Sequence, residues 1–411
     1  MKSKASFFNF SPTLIQENFR RFWAAPVLGF LVYFLSGIFP ILMTYSKIDD
    51  LAYYIKLTLN NQQPFFVIVH LLMPIAAAVI VLRYLQQSSS VTYMHALPLS
   101  RAKLFNSNFI SGWLMCMIPI VVTAVLLFVL STPTHEIVYY YQDNRVLGPD
   151  IFTNAAIAHW LWQSVLVVTF IYAVSIFAGM VVGNSVLQML LAATLCFILP
   201  AINLALSAYF EQYLWGYVTK YESALDLFPW LEMLRGEPFS TGLTVAYLAV
   251  IVLLVVFSAV LNYRRKLEKA GDGVVFGFMV PVLCYLIAFL GMSLFGFYFY
   301  AMSDQKYAYM YAGMAAGAIL FFIIARMLVY KTPRVFNKQS LKSFVAYGLI
   351  AVLFVCALAF DLTNFEDRVP DANNYTGASL QADTILGVNS QEYERYQSSY
   401  FGQGEVHFTD P

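Results

Sequence analysis

Charge is what this sequence has least of. Of its 411 residues only 11% are Asp, Glu, Lys or Arg, while 60% are hydrophobic and 17% aromatic. Soluble domains carry roughly 25% charged residues, so a soluble globular fold is excluded and the chain falls in the membrane class. A net charge of +1 leaves no basic stripe of the kind nucleic-acid binders carry. Cysteine is sparse as well. Cys116, Cys196, Cys284 and Cys356 stand far apart, form no CxxC pair and each lies in a hydrophobic run. That excludes a disulfide framework and a cysteine zinc site, and reads them as small buried apolar residues.

Signature chemistry is missing too. There is no GxxxxGK[ST], HExxH, GxSxG or GxGxxG, so no catalytic, metal or cofactor site is expected in this chain. Acidic residues are absent from the hydrophobic runs until Asp361 at the last boundary. Ionisable groups inside a membrane are costly and mark ion pathways and proton relays; their absence argues against proton- or sodium-coupled transport. No cleavable signal peptide is read, because the opening residues are polar and the first apolar stretch is too long and lacks an A-x-A exit.

What the chain does have is length of apolar sequence. Runs of about 18 or more apolar residues mark membrane spans. Nine occur, at 22–46, 65–85, 108–131, 155–182, 185–209, 240–262, 275–301, 309–331 and 343–361. The expected fold class is an all-α polytopic membrane protein, N-terminus inside and C-terminus outside. With that orientation the inside collects Lys2, Lys4, Arg20, Arg21, Arg83, Arg101, Lys103, Arg264, Arg265, Lys266, Lys269, Arg326, Lys331, Arg334, Lys338 and Lys342, sixteen of the 24 cations, as the positive-inside rule requires. Only Glu17, Glu268 and Asp272 among the acids join them.

Several segments between spans are organised. In "SPTLIQENFRRFW", Ser11 is placed as N-cap and Pro12 at the first helical position. Leu14, Ile15, Phe19, Phe22 and Trp23 then share one side, which makes residues 1–21 an amphipathic helix on the inner leaflet. The turn "GNS" at 183–185 closes a tight helical hairpin on the inside. The outer segment 210–239 carries Trp215, Phe228, Trp230 and Leu234, and reads as short re-entrant helices with aromatics suited to the headgroup zone. Residues 362–411 form a polar outer tail in which "ASLQADTILGVN" could start a strand. Its abrupt end at "VHFTDP" leaves a longer outer domain open.

Within the spans, His70, His159, Gln163, Gln188 and Asn203 are the polar exceptions. They could face a pathway or make inter-helix hydrogen bonds, worth about 0.6 kcal/mol each on average. Arg83 and Arg326 lie near inner ends, where snorkelling accounts for them. GxxxG at Gly179–Gly183 and Gly313–Gly317 permits close helix approach.

The inner loop 86–107 contains "YMHALPLSRAKLF", basic and greasy at once. Pro98 cannot continue a helix and pushes Leu97 out of the α region, and Ser100 is a natural N-cap. The expectation is a helix near 88–96, a break at Leu97-Pro98 and a restart at Ser100. Arg101 and Lys103 fall in the first turn of the new helix, where cations oppose the macrodipole. Something must favour them there: lipid phosphates would serve, but Met94, Leu97 and Leu99 tip the reading toward an acidic, partly apolar groove on a soluble partner; His95 belongs to the same stretch. The other two inner segments, 262–274 and 331–342, read as plain cationic anchors.

"HALPLSRAKLFNSNFISG" resembles the loop between the second and third spans of ABC-2 type transporter permeases, where a short coupling helix precedes an "LP-[IL]-SR" turn. The amphipathic first helix, the tight hairpin between spans four and five and the dipping outer helices are similar to that family's six-span core. "RRKLEKAGDGVVF" and "FDLTNFEDRVPDA" resemble a longer Gram-positive branch with extra spans and an outer C-terminal segment. The sequence departs from the family's pattern at Gln86 and Gln87, where many members carry a Glu, and at Asn106 and Asn108, where many carry a Lys.

The resemblance implies a six-span core at 22–262, three additional spans over 263–361 and a place in the bacterial cytoplasmic membrane. It implies a permease subunit of an exporter, coupled through Met94, His95, Leu97, Pro98, Leu99, Ser100, Arg101 and Lys103 to a separate ATPase subunit. ATP and Mg would bind that partner, and a second copy or a related chain would complete the pathway. The cargo would be an amphipathic or hydrophobic peptide antibiotic, lipid or drug. The rival reading is a stand-alone binding, immunity or sensor protein using its aromatic outer face; a membrane enzyme is a weaker third.

Overall fold

The computed structural model describes residues 10–46, 48–140, 144–214, 217, 225–330, 332–362, 364–365, 378–380 and 406–408. Among these, nine helical segments are long and apolar enough to cross a membrane, so the chain is an all-α polytopic membrane protein. Each falls within a few residues of its predicted span, except that the second segment starts earlier, at Asp50, the third at Arg101 and the last at Lys338.

The first helix, α1 (Pro12–Phe22), starts from Ser11 in extended backbone. The Ser11 hydroxyl bonds that of Thr13 at 2.9 Å and makes no cap bond to the helix. Leu14, Ile15, Phe19 and Phe22 are half-buried while Gln16, Glu17, Arg20 and Arg21 are exposed; Trp23, also expected on the apolar side, is exposed. Span one runs through α2 (Ala24–Tyr33), a π-helical turn at Phe34–Ile38 and α3 (Phe39–Thr44). Pro40 explains the widened turn, because its ring cannot sit against the carbonyl four residues back.

An unpredicted helix, α4 (Ile48–Leu59), follows. The chain reverses through Asn61 in the left-handed region (φ 55°) into α5 (Pro64–Leu82). The next helices are α6 (Ser88–Ala96), α7 (Arg101–Leu130), α8 (Asn154–Val181) and α9 (Ser185–Tyr213). After them come the short α10 (Pro229–Met233), α11 (Thr241–Arg264), α12 (Met279–Met302), α13 (Tyr307–Tyr330) and α14 (Lys338–Ala359). Strands β1 (His135–Tyr140) and β2 (Asn144–Asp150), also unpredicted, form an antiparallel hairpin between α7 and α8. In the tail, β3 (Ala378–Leu380) pairs antiparallel with β4 (Val406–Phe408), and β3 falls at the head of the segment expected to start a strand.

At the centre stands α8, packed by α5, α7, α9 and α11. Its Trp160 and Tyr172 are fully buried, with Tyr33 of α2 and Phe66 of α5. The α12–α13 pair is the tightest contact: a Cβ at Gly313 would stand 2.5 Å from the Phe295 carbonyl oxygen, and one at Gly317 2.4 Å from that of Gly291. Three cysteines are buried as expected, but Cys356 is exposed on α14. The reason is that α14 has little of its surface covered by other helices, and Val345, Leu349 and Leu353 stand exposed beside it.

Candidate functional site

The 86–107 loop has the helix–break–helix form. α6 ends at Leu97 in extended backbone (φ −68°, ψ 147°), because Pro98 bars the α conformation before it. α7 restarts from Ser100, whose hydroxyl accepts from the Lys103 amide at 3.2 Å. Tyr93 is 68% exposed, Pro98 is exposed, and Met94, His95, Leu97, Leu99 and Lys103 are half-buried. The His95 ring sits 6.4 Å from that of Tyr84, with Nδ1 3.0 Å from the Val91 carbonyl. The loop therefore presents a mixed surface, with Leu97 and Leu99 only partly covered.

Arg101 is held within the chain. Its Nη1 donates to the carbonyls of Arg265 at 3.3 Å and Tyr263 at 3.5 Å. These are the end of α11, where carbonyls lack helical partners and a cation is favoured. The loop is thus tied to a span far away in sequence.

Arg265 goes further and is no surface anchor. It is 2% exposed; its guanidinium donates to the carbonyls of Gly179 (2.7 Å), Met180 (3.1 Å) and Leu85 (3.1 Å). One side chain satisfies the last turn of α8 and the end of the α5 span together. Burial pulls its pKa down to about 10, with Tyr84 opposing; three acceptors keep the guanidinium charged. Sequence reading missed this role.

The "GNS" turn is locked to the same end of the bundle. Asn184 caps α9 by accepting from Val186 N at 2.9 Å. Gly183 exchanges backbone hydrogen bonds with Asp272 and Gly271, and Val275 N donates to Val181 O at 2.8 Å. A Cβ on Gly183 would lie 2.5 Å from the Lys269 carbonyl oxygen, so only glycine fits. Gln188 is buried and donates to Ser175 O at 3.0 Å, while accepting from Gln86 Nε2; Ser185 donates to Gln86 Oε1 at 2.5 Å. Gln86 therefore spends its polar group inside, bracing α5 against α9. Asn108 does likewise: Asn18 of α1 donates to its Oδ1 at 2.9 Å and to Ser111 Oγ at 2.8 Å. A cleft of about 240 Å³ remains between α1, the end of α5 and α6, lined by Arg21, Arg83, Gln87, Tyr93 and Met94.

The other predicted residues lie apart from this end. His70 is buried beside Tyr33, with Nδ1 2.6 Å from the Phe66 carbonyl. Gln163 donates to Glu237 O at 2.8 Å, which ties α8 to the segment before α11. His159 and Asn203 are half-buried. Trp215 lies outside the described residues. Phe228 and Trp230 turn inward: their rings stack at 5.9 Å, Phe197 meets Phe228 edge-on at 5.2 Å, and Trp230 Nε1 donates to Val67 O at 2.9 Å. Next to them Glu232 is buried. Arg235 Nη1 lies 2.9 Å from Glu232 Oε2 and 3.1 Å from Asp226 Oδ1, but donates its proton to Asp226. Burial raises the Glu232 pKa, with Arg235 opposing and Asp226 adding.

Fold and geometry define a multi-pass helical membrane protein whose helix–break–helix loop is tied to several spans. The chain is similar to the probable ABC transporter permease YtrD of Bacillus subtilis (strain 168), 23% identical over 255 residues, which cover 57% of this chain and 70% of the relative. No protein-family model matches it, and no solved structure does.

Proposed function

We propose that the chain is the membrane subunit of an ATP-driven exporter of the ABC-2 type, and that the 88–105 loop docks on a separate ATPase subunit. The observation that carries this reading is the loop's attachment. Tyr93 is exposed and Leu97 and Leu99 are only partly covered, while Arg101 reaches the end of α11, and Arg265 joins that end to α8 and α5. A push on the loop moves several spans together, as coupling to an ATPase cycle needs. The likeness to a permease supports it. By thermodynamic reciprocity, cargo or the state of the far end alters the partner's affinity for ATP.

The cargo is amphipathic or hydrophobic (a peptide antibiotic, lipid or drug), and its route runs between this chain and a second copy or a related one. His70, Gln163 and Gln188 are engaged in hydrogen bonds inside the single bundle, which favours a route between chains. The stand-alone binder or sensor relied on an aromatic outer face, and the inward packing of Phe228 and Trp230 withdraws those two residues from it.

The deciding experiment is mild-detergent purification of the tagged chain from native membranes beside Leu97→Asp. A soluble ATPase that accompanies the normal chain but not the variant, at equal membrane levels, is the expected result. Absence of any ATPase from both preparations overturns the exporter reading and returns the stand-alone binder.

A further inference from the structure

Arg326 sits four residues before the end of α13, where snorkelling toward the interface would be its ordinary fate. Instead protein covers it, leaving it 5% exposed. Its Nη1 donates to the Tyr330 hydroxyl at 3.0 Å. Its guanidinium carbon stands 5.5 Å from the Phe322 ring centre and 5.3 Å from that of Tyr330. Ring faces and a neutral hydroxyl are incomplete company for a buried cation. Among the described residues no carboxylate pairs with it, and its buried Nε–H has no acceptor. A buried charge without a counter-charge is strongly unfavourable, and an ionisable group in a membrane helix points by default to a ligand.

The structure has a place for the missing anion. Arg326 lines a groove of about 410 Å³ between α13 and the start of α14 whose walls include Ile319, Ile323, Leu341 and Phe344, with Lys338 also on its lining. That volume falls within the roughly 300–1,000 Å³ of small-ligand sites. Lys338 is exposed and opens α14 directly after its cap, Asn337, which accepts from Ser340 N at 2.7 Å. Beside the groove Leu341, Val345 and Leu349 are exposed along α14, so its surroundings are apolar. A ligand that satisfies both parts has an anionic oxygen head and a long apolar body. An acidic protein segment would satisfy the cation and leave the apolar walls unfilled.

We propose that the α13–α14 groove binds an anionic phospholipid, its phosphate oxygens accepting from Arg326 and Lys338 and an acyl chain lying along Ile323 and Phe344. Basic pockets between membrane helices are a general form of headgroup site. The site is independent of the ATPase reading, since none of its residues belongs to the 86–107 loop or to the Arg265 contacts.

The test uses the full chain, washed free of lipid in mild detergent, with bound lipid counted by native mass spectrometry. The probes are phosphatidylglycerol, phosphatidylcholine with the same acyl chains, and inorganic phosphate. Phosphatidylglycerol is expected to bind about fivefold or more tightly than phosphatidylcholine, and inorganic phosphate to leave it in place. Arg326→Gln abolishes the preference, Leu341→Trp lowers binding of both lipids by filling the groove, and Arg264→Gln, an exposed cation outside the groove, changes nothing. Should Arg326→Gln fail to fold, Lys338→Gln at the exposed position carries the same test with a smaller drop. Equal binding of the two lipids, or a preference untouched by both cation variants, overturns the proposal. Displacement by inorganic phosphate overturns it in favour of a free-anion site. A dimer that Leu341→Trp converts to monomer with lipid binding unchanged assigns the groove to a second copy of the chain.

Discussion

Arg264 and Arg265 are neighbours in sequence and opposites in space: the first is exposed, the second buried against three carbonyls of α8 and the α5 span. Run together as "YRRK" they read as one cationic anchor. What separates them is the end of α11, after which Arg265 takes extended backbone (ψ 128°), and the residue at which a helix stops is the least legible feature of a sequence. Arg265→Gln is expected to lower the melting temperature in detergent, by an amount equivalent to about 3 kcal/mol for losing a buried charge and its hydrogen bonds. Arg264→Gln is expected to leave it unchanged; equal melting of the two variants would remove the clasp. Glu232 supplies the pH dependence at this scale. Its folded-state pKa is raised, by burial foremost, so the protonated carboxyl is favoured in the folded chain. The stabilisation is present below the ordinary value of 4.5 and is lost as pH rises through the raised value. Glu232→Gln mimics the protonated form, and the melting temperature of the variant minus that of the normal chain should increase between pH 4 and pH 7, pH values chosen to bracket that ordinary value. A difference that is flat or falls with pH would contradict the assignment.

At the scale of elements, the spans were the most legible part, because a membrane imposes about 18 or more apolar residues on each helix whatever its neighbours do. The loop break was legible for a different reason: Pro98 and Ser100 act through their own backbone chemistry. α4 escaped because its "IDDLAYYIKLTL" is too short and too polar for a span. β1 and β2 escaped because "HEIVYY" and "NRVLGPD" keep no strict alternation, and their pairing is set by the fixed ends of α7 and α8. In the candidate site the loop's shape could be read but not the targets of Arg101, Gln86 and Asn108, which lie on elements far off in the chain. Ser100→Ala should cost about 1 kcal/mol through the lost cap, seen as a lower melting temperature. Glycines make a sharper comparison. Gly183→Ala puts a methyl 2.5 Å from backbone oxygen at Lys269 and is expected to destabilise the hairpin by about 1–3 kcal/mol. Gly348→Ala, with nothing within 4 Å of the new methyl, should be neutral or gain some tenths of a kcal/mol from helix propensity. Similar behaviour of the two alanine variants would mean that the 181–183 and 271–275 backbones do not hold each other.

For the whole molecule the open quantity is its direction in the membrane. The loop α6, the Gly183 turn and the segment 265–278 meet at one end of the bundle through Arg101, Arg265 and the Gly183–Asp272 bond. The Asp304 turn between α12 and α13 lies at the opposite end of those two helices from 265–278. Arg101, Lys103, Arg265, Lys266 and Lys269 outnumber Glu268 and Asp272 in the first set of segments, whereas the Asp304 turn carries one charge of each sign, Asp304 and Lys306. Translocation disfavours cations in short loops and is nearly indifferent to acids, so the cation-rich end is expected to face the cytoplasm. The measurement is side-specific labelling of single cysteines in a background where Cys116, Cys196, Cys284 and Cys356 are alanine. Asp304→Cys should react with a membrane-impermeant maleimide in intact cells, and Ser89→Cys only after the cells are opened; both positions are exposed in the fold. The reverse pattern would invert the molecule and place the 88–105 loop where no cytoplasmic ATPase reaches it. Labelling of both from one side would mean that one of the helices between Ser89 and Asp304 does not cross, and with it the route from loop to span through Arg101 and Arg265 would have to be redrawn.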